Sequence, residues 1–548
     1  MKIFQPKLFE LFKSYSKKQL INDFIAGIIV AIIALPLSIA LAIASGVSPE
    51  KGLYTAIVAG FVIACLGGSR VNISGPTAAF ATIVAGIVAE FGTSGLVVAT
   101  IMAGLLLIVM GFCRMGSLIK YIPYTITTGF TSGIAVTIVV GQVKDFLGLT
   151  FAEGTHAIET TEKISAIVKS FATLNSEALL VGIFALLILI VWPKINKKIP
   201  GSLIAVIIGA VGVKLLNLNV NTIGDLYSVS GALPKFEIPA VNFGMIKSLV
   251  PSAFTIAILA GIESLLSCVV SDDMIGDRHN SNTELIAQGA GNIFSGLFGG
   301  IPATGAIART AANVKNGGRS PVSGIVHAIV LLLVLVVLMP YASLIPMPVI
   351  AAILFMVAYN MCGWRQFVSV IKTAPKSDIT VLVLTFVLTV VFDLVVAIEI
   401  GMLIALILFM KRMADVTRIR PWTEADEQSA GDDGRLKKIP QNTTVYEIDG
   451  PMFFATADMF NSIPVKGGSK AMILRMRNIP ALDATAMIAL DTIYDECEKE
   501  GITLILSHAN EQPLSVMKKY GFYDKLGADN FKANIDEALD YAEIICKD

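Results

Sequence analysis

Two short stretches, 232 residues apart, repeat one arrangement of glycine, proline and threonine. Leu66-Gly67-Gly68 leads into Ser74-Gly75-Pro76-Thr77-Ala78-Ala79, and Phe298-Gly299-Gly300 leads into Ile301-Pro302-Ala303-Thr304-Gly305-Ala306. Each follows an apolar helical pattern and opens a short, interrupted one. A helix N-terminus carries unsatisfied N–H groups and a positive dipole end, so two of them facing each other offer a site for an anion. Gly75, Ala78, Ala79, Gly305 and Ala306 permit close backbone approach, while Thr77 and Thr304 can donate hydroxyls. Pro76 and Pro302 suit a first helical turn, where the missing N–H costs nothing. Small residues also serve tight helix packing; the paired occurrence favours the site.

Two charges stand in otherwise apolar surroundings. Arg309 lies about two turns into the second short segment, and a cation inside a membrane body lines a polar pathway or meets a partner. It can attract an anion or form a structural ion pair. Glu263 sits in the middle of 255–270, where a carboxylate can carry a proton or hold a small cation such as Na⁺. Ser267, one turn on, shares its face and could add a ligand oxygen. The competing reading of Glu263 is a permanent pair with Arg309. Glu90 and Asp393 lie near expected helix ends, where solvation is the simpler account, and Glu399 is ambiguous.

These residues need a membrane to position them. Of 548 residues, 55% are hydrophobic and 15% charged, with 42 basic and 42 acidic side chains. The first 412 residues hold 46 charges and the last 136 hold 38, which separates a membrane body from a soluble tail of ordinary charge density. Zero net charge leaves no basic excess to neutralise phosphates, so nucleic acid is not expected as a partner. At about 20 apolar residues per span, the candidates are 24–44, 96–113, 124–141, 176–192, 200–216, 249–270, 320–340, 345–361, 377–392 and 394–411. Shorter segments lie at 53–66, 76–90, 285–298 and 302–313, making fourteen in all. Short interrupted segments at corresponding positions of two halves point to a transport site. Seven spans per half, an odd number, require the halves to be inverted. Pro36 falls inside the first span, within Ala34-Leu35-Pro36-Leu37-Ser38, where a break would line a cavity and bring Ser38 to it.

Lys/Arg placement sets the orientation. Lys194, Lys197, Lys198, Lys315, Arg319, Arg365, Lys372, Lys376, Lys411 and Arg412 fall on one side with the basic N-terminal segment (Lys2, Lys7, Lys13, Lys17, Lys18), while loop 145–175 carries more acids than bases. Both termini are therefore expected in the cytoplasm, the chain spanning the cell (inner) membrane in contact with lipid. Residues 1–20 form a cytoplasmic segment, 21–412 the membrane domain, 413–440 a polar linker and 441–548 a small α/β domain. In that domain Val445–Ile448, Met472–Met476 and Thr503–Ser507 read as strands, with helices at Ala484–Glu500 (N-cap Asp483), 511–520 and 534–545.

Cysteines 65, 113, 268, 362, 497 and 546 contain no CxxC pair, and the four histidines are dispersed, so no zinc site is expected. His156 and His508 read as surface residues and His327 as facing a helix interior. Asp272, Asp273, Asp277, Arg278 and His279 read as a helix-end network.

The stretches Leu35–Ala42, Ser74–Thr77, Gly261–Leu266, Arg278–Leu285 and Gly299–Gly305, in this order, resemble the SulP anion transporters, and the likeness runs from about residue 20 to a C-terminal STAS domain. The resemblance implies a core and a gate domain built from seven-plus-seven inverted repeats, with substrate between the third and tenth helices, in what is often a homodimer. Relatives carry sulfate, bicarbonate, dicarboxylates or halides. Glu263 matches an acidic residue linked there to proton or sodium coupling, and Arg309 a basic residue beside the anion. In stand-alone STAS proteins the strand-to-helix loop reads Asp-Ser-Ser-Gly with a phosphorylated first serine; here it is Asp483-Ala484-Thr485-Ala486, and Ala484 has no hydroxyl to modify.

The expected function is secondary transport of a small anion (sulfate, bicarbonate or dicarboxylate) coupled to H⁺ or Na⁺, with no other cofactor. The substrate set is Ser38, Thr77, Ala78, Ala79, Thr304, Gly305, Ala306, Ile307 and Arg309; Glu263 and Ser267 serve the coupling ion. The alternative is an uncoupled channel or exchanger. Arg309 and the lack of a second buried acid speak against a nucleobase permease. No nucleophile–base pair, phosphate loop or metal cluster marks the soluble part as an enzyme.

Overall fold

The computed structural model describes residues 4–13, 15–117, 123–152, 157, 159–196, 199–239, 242–392, 394–422, 438–465 and 468–547, with the side chains of 11–13, 394–396, 398, 399 and 461 excepted. His156, Lys2, Lys197, Lys198, Asp393, the Glu399 side chain and most of the expected linker lie outside the described residues. The chain divides into two compact units, Met1–Met402 and Leu403–Asp548.

The first unit is helical. Its first half runs α1 (Lys17–Ala44), α2 (Pro49–Leu66), β1 (Ser74–Gly75), α3 (Ala81–Phe112), α4 (Tyr124–Leu147), α5 (Thr160–Lys169), α6 (Ser176–Ile195), α7 (Gly201–Leu216) and α8 (Ile223–Leu226). The second runs α9 (Phe243–Ile275), α10 (Ser281–Leu297), β2 (Thr304–Gly305), α11 (Ile307–Lys315), α12 (Val322–Ala342), α13 (Met347–Cys362), α14 (Trp364–Thr373), α15 (Lys376–Val391) and the start of α16 (Leu394–Val416), whose residues after Met402 belong to the second unit. Gly92, at φ 67° and ψ −171°, breaks α3 and separates the two expected segments 76–90 and 96–113; a side chain there would be strained. Glu90 is exposed beside this break. Among the described residues, seven helices are long and apolar enough to cross a membrane, as is the stretch Met347–Thr373 that α13 and α14 make together, and α7 is a shorter apolar helix. The other expected segments coincide with shorter or more polar helices, so fourteen spans is compatible with the helices rather than counted by them.

A two-fold relation between the halves appears in the packing. α1 packs on α12 as α9 packs on α3, and α2 packs on α12 as α10 packs on α3; α2 and α10 meet each other. Exchanging the halves leaves this set of pairs unchanged. Glycines make the crossings close: a Cβ on Gly104 would stand 2.6 Å from the Gly289 carbonyl oxygen, and one on Gly289 2.5 Å from that of Gly104. Side-chain-free contacts of this kind supply the packing that hydrophobicity cannot drive inside lipid. Pro36 lies within an otherwise continuous α1.

The second unit is a five-stranded sheet, β3 (Arg418–Pro421), β4 (Thr443–Asp449), β5 (Ala471–Asn478), β6 (Thr503–Ser507) and β7 (Phe531–Lys532), in sequential order. β3 runs antiparallel to β4 and the remaining neighbours are parallel. Helices α17 (Ala457–Asn461), α18 (Ala484–Lys499), α19 (Glu511–Tyr520), α20 (Phe522–Leu526) and α21 (Ile535–Lys547) cover it. Alternation along β5 builds both cores: Met472, Leu474 and Met476 pack with Met487, Leu490 and Ile493 of α18, whereas Ala471 and Ile473 pack with Trp422 and Leu539. β3 falls inside the expected linker 413–440. Its RIRP sequence has little of a strand's apolar pattern because it is an edge strand with an exposed face.

Candidate functional site

The two repeated stretches meet. β1 and β2 pair antiparallel, Ser74 opposite Gly305 and Gly75 opposite Thr304, so the chain leaves the bridge into two helical starts at one place. On one side Thr77, extended, leads into a 3₁₀ turn over Ala78–Phe80 and then α3; on the other Ala306, also extended, leads into α11. Pro76 and Pro302 do not occupy first helical turns. Both stand in extended connections, because the bridging strand comes between each Gly pair and its helix.

Arg309 and Glu263, both from the second half, address the same turn of the first half. The Arg309 side chain is 3% exposed; its Nη2 donates to the Pro76 carbonyl at 2.9 Å, and Nη1 is buried without a hydrogen-bond partner. Gly75 leaves room for it, since a Cβ there would lie 2.6 Å from Nη1. Glu263 is half-buried on α9 and its Oε2 accepts the Thr77 hydroxyl at 3.0 Å. The two charges form no ion pair, so the reading of Glu263 as the fixed partner of Arg309 does not describe this structure.

The other expected site residues divide into open and engaged groups. Ala78 and Ala79 are buried, whereas Ile307 is 43% exposed at the first turn of α11, where amides 307–309 are those a helix leaves over. The Gly305 amide donates to the Ser264 hydroxyl and the Ala306 amide to the Ile73 carbonyl, both at 2.9 Å. Thr304 donates to the Ala260 carbonyl at 3.0 Å and touches the Ser264 hydroxyl at 2.8 Å. Ser267 is not brought to Glu263: its hydroxyl donates to Asn72 Oδ1 at 2.7 Å and lies 3.1 Å from the Thr310 hydroxyl. Sharing a helical face with Glu263 left Ser267 equally free to turn toward the first half's loop. Ser38 is fully buried in α1, its hydroxyl without a partner, and α1 packs on both α3 and α11.

The polar face of α10 went unrecognised in the sequence. Glu284, Gln288, Asn292 and Ser295 are fully buried. Glu284 accepts from the Gly68 and Ser69 amides, from Asn72 Nδ2 and from Gln288 Nε2. Gln288 also donates to the Ser74 hydroxyl. Asn292 donates to the Ala303 carbonyl and accepts the Ala303 amide, at 2.9 and 2.8 Å, and Ser295 donates to the Ile301 carbonyl. One helix therefore holds the approach to both strands of the bridge. Polar residues at i, i+4, i+8 and i+11 of an apolar segment were the available signal. At the N-terminal end of the same helix the expected helix-end network is present: the His279 ring lies 2.7 Å from Asp272 and 2.9 Å from the Ser281 hydroxyl. His327 is buried in α12 with neither ring nitrogen hydrogen-bonded.

Comparison with known proteins decides the family. The sequence profile of the sulfate permease family matches residues 20–385, two thirds of the chain. This protein belongs to the sulfate permease family. The STAS domain profile matches residues 435–538 of the second unit. The chain is 39% identical over 531 residues to Bacillus subtilis (strain 168) YvdB, a protein provisionally named a sulfate transporter, covering 96% of this chain and 98% of that one. It is 30% identical over 541 residues to the bicarbonate transporter BicA of Picosynechococcus, covering 94% of each. The murine anion transporter SLC26A9, solved in an inward-facing state, superposes with a TM-score of 0.88 at 18% identity, over 99% of this chain and 94% of that one, which establishes a shared fold. The family's sulfate and bicarbonate transporters act on small anions, and the present chain is an anion transporter of that family. In its STAS domain, Asp483 caps α18, accepting the Ala486 amide through Oδ1 and the Phe454 amide through Oδ2, both at 2.9 Å; Ala484 and Thr485 are exposed beside it.

Proposed function

We propose that this family member is a secondary transporter that binds a small oxyanion, sulfate or bicarbonate, where the first turns of α3 and α11 meet, and couples its movement to H⁺ or Na⁺ through Glu263. The observation that carries the reading is the Thr77–Glu263 hydrogen bond beside the unpartnered Nη1 of Arg309: an anion-seeking donor and a cation-binding carboxylate converge on one turn. An anion there would meet the left-over amides of two helix starts and the guanidinium. Thr77, Ala78, Ala79, Ile307 and Arg309 form the contact set, with Ser38 lining the approach. Thr304, Gly305 and Ala306 hold the bridge itself. A proton or Na⁺ on Glu263 would neutralise the carboxylate next to the incoming negative charge, which makes binding of the two ions mutually favourable.

The Lys/Arg distribution supports cytoplasmic termini in the inner membrane, with 441–548 as a cytoplasmic domain; membership of a family whose members often pair supports a second copy of the chain as partner. The names of the 39% and 30% identical relatives support sulfate and bicarbonate as the first substrates to try. Uptake of labelled sulfate, bicarbonate and a dicarboxylate by the purified chain in liposomes, under imposed proton and sodium gradients, tests the proposal. Uptake of one anion driven by one cation gradient is expected. Uptake indifferent to both gradients would make the protein an uncoupled channel or exchanger.

A further inference from the structure

Helix α14 has ten residues, Trp364-Arg365-Gln366-Phe367-Val368-Ser369-Val370-Ile371-Lys372-Thr373, and buries none of them. Trp364, Phe367, Val368 and Ile371 stand at i, i+3, i+4 and i+7, which puts them on one face. Arg365 and Lys372, seven residues apart, fall together on one flank, and Gln366, Ser369 and Thr373 lie opposite the apolar stripe. Trp364 is 47%, Val368 38% and Ile371 41% exposed. Phe367 turns its ring edge-on to Phe386 of α15 at 5.3 Å, which fixes the roll of the helix about its own axis.

What covers this face follows from its neighbours. Gly363, in the left-handed conformation, ends α13 and turns the chain directly into α14; Pro375 begins the apolar α15 two residues after α14 ends. Both ends of α14 are therefore tied to helices of the membrane body. Arg365, Lys372 and the following Lys376 are exposed, and none of them forms an ion pair among the described residues. The Arg365 guanidinium lies 5.4 Å from the Trp364 ring centre, at the border between the apolar and basic surfaces. A short helix with aromatic and aliphatic residues on one face and unpaired cations on its flank matches the headgroup layer, apolar side toward the acyl chains and cations toward phosphate.

We propose that α14 lies in the headgroup layer and that Arg365 and Lys372 form a binding site for the phosphate of an anionic phospholipid. The apolar face anchors the α13–α15 connection at a fixed depth, and the basic flank selects the headgroup.

Fluorescence quenching in proteoliposomes tests this on the full chain. The protein has three tryptophans, so the difference between the unaltered chain and Trp364→Phe isolates the contribution of Trp364. Vesicles of phosphatidylcholine carry either brominated phosphatidylcholine or brominated phosphatidylglycerol at equal mole fraction. Both should quench Trp364, the glycerol lipid about twofold more. The pair Arg365→Gln and Lys372→Gln should keep the quenching and lose the preference, and the charge-conserving pair Arg365→Lys and Lys372→Arg should keep both. Inorganic phosphate in the buffer should leave the preference unchanged. No quenching of Trp364, equal quenching by the two lipids in the unaltered chain, or loss of the preference in phosphate would each overturn the proposal.

Discussion

Thr77 and Glu263 are 186 residues apart in sequence and joined by a 3.0 Å hydrogen bond between the two inverted halves. The bond ties the turn that opens α3 to the carboxylate on α9, so under the proposed function a cation on the carboxylate and an anion at the turn would not bind independently. Glu263→Gln keeps the shape and a hydrogen-bond partner for Thr77 but removes the charge. We expect it to fold, and to lose the stimulation of uptake by the coupling cation about tenfold or more. Thr77→Ser should behave as the unaltered protein, and Thr77→Val should weaken the cation dependence. Gradient-driven uptake in liposomes measures all three; full cation dependence in Glu263→Gln would remove that residue from the coupling.

Arg309 should govern affinity rather than coupling. Hydrogen bonds to charged groups contribute about 1.5–3 kcal/mol, so Arg309→Ala should raise the half-saturating anion concentration roughly tenfold to hundredfold. Arg309→Lys restores the charge without the planar fork that lets Nη2 hold the Pro76 carbonyl while Nη1 is free. It should recover only part of the affinity. Concentration dependence of uptake at saturating cation distinguishes the three proteins, and an unchanged half-saturation in Arg309→Ala would remove the guanidinium from the anion site.

Two glycines should respond oppositely to the same added methyl. In Gly75→Ala the new Cβ meets the end of a flexible side chain, Arg309 Nη1, at 2.6 Å, whereas in Gly104→Ala it meets the Gly289 carbonyl oxygen at the same distance. The first can be relieved by moving the guanidinium, the second only by parting α3 from α10. Gly75→Ala should therefore retain its thermal stability and lose anion affinity. Gly104→Ala should lower the melting temperature of the detergent-solubilised protein by several degrees or fail to accumulate. Equal melting temperatures for the two variants would contradict this geometry.

The repeated Gly–Pro–Thr stretches, and the isolation of Glu263 and Arg309 among apolar residues, were legible because charge scarcity makes any exception conspicuous. The bridge between Ser74–Gly75 and Thr304–Gly305 was not. Two-residue strands carry no periodicity, and Pro76 and Pro302 read equally well as helix starts. Ser267 was misplaced because a helical face is about 100° wide and its two neighbours, Glu263 and the Asn72 loop, compete for the same direction. The stripe on α10 carries no isolated charge to mark it: Gln288 and Asn292 are neutral, and Glu284 sits just before the apolar segment 285–298 begins. In the C-terminal unit the alternation of β5 was readable, and β3 was not, because an exposed edge strand has no apolar face to reveal it.

That stripe makes Glu284 the residue on which the bridge most depends. Its carboxylate accepts four hydrogen bonds, from the Gly68 and Ser69 amides and from Asn72 and Gln288. Glu284→Gln would turn an amide donor toward other donors and leave buried groups unsatisfied, at about 1–3 kcal/mol. We expect a lower melting temperature together with a reduced maximal rate at every anion concentration. Asn292→Ala, which frees Ala303 on the other side of the bridge, should show the same pairing of effects. A variant that changed half-saturation alone, with stability intact, would place Glu284 at the anion rather than behind it.

Thiol chemistry reports separately on the C-terminal unit. Cys497 is buried on α18 beneath the sheet, and burial pushes its thiol up to about 11 from a usual 9.0. At pH 8 roughly one thiol in a thousand is then thiolate. Since the folded value is the higher one, the neutral thiol's advantage is complete below pH 9 and is lost as the pH rises through 11. Cys546, half-buried at the end of α21, should therefore react with a thiol reagent first at pH 8. Cys497 should react only at the rate at which the unit opens, so urea should accelerate its labelling far more than that of Cys546. Prompt labelling of both in the absence of denaturant would show that α18 does not cover Cys497.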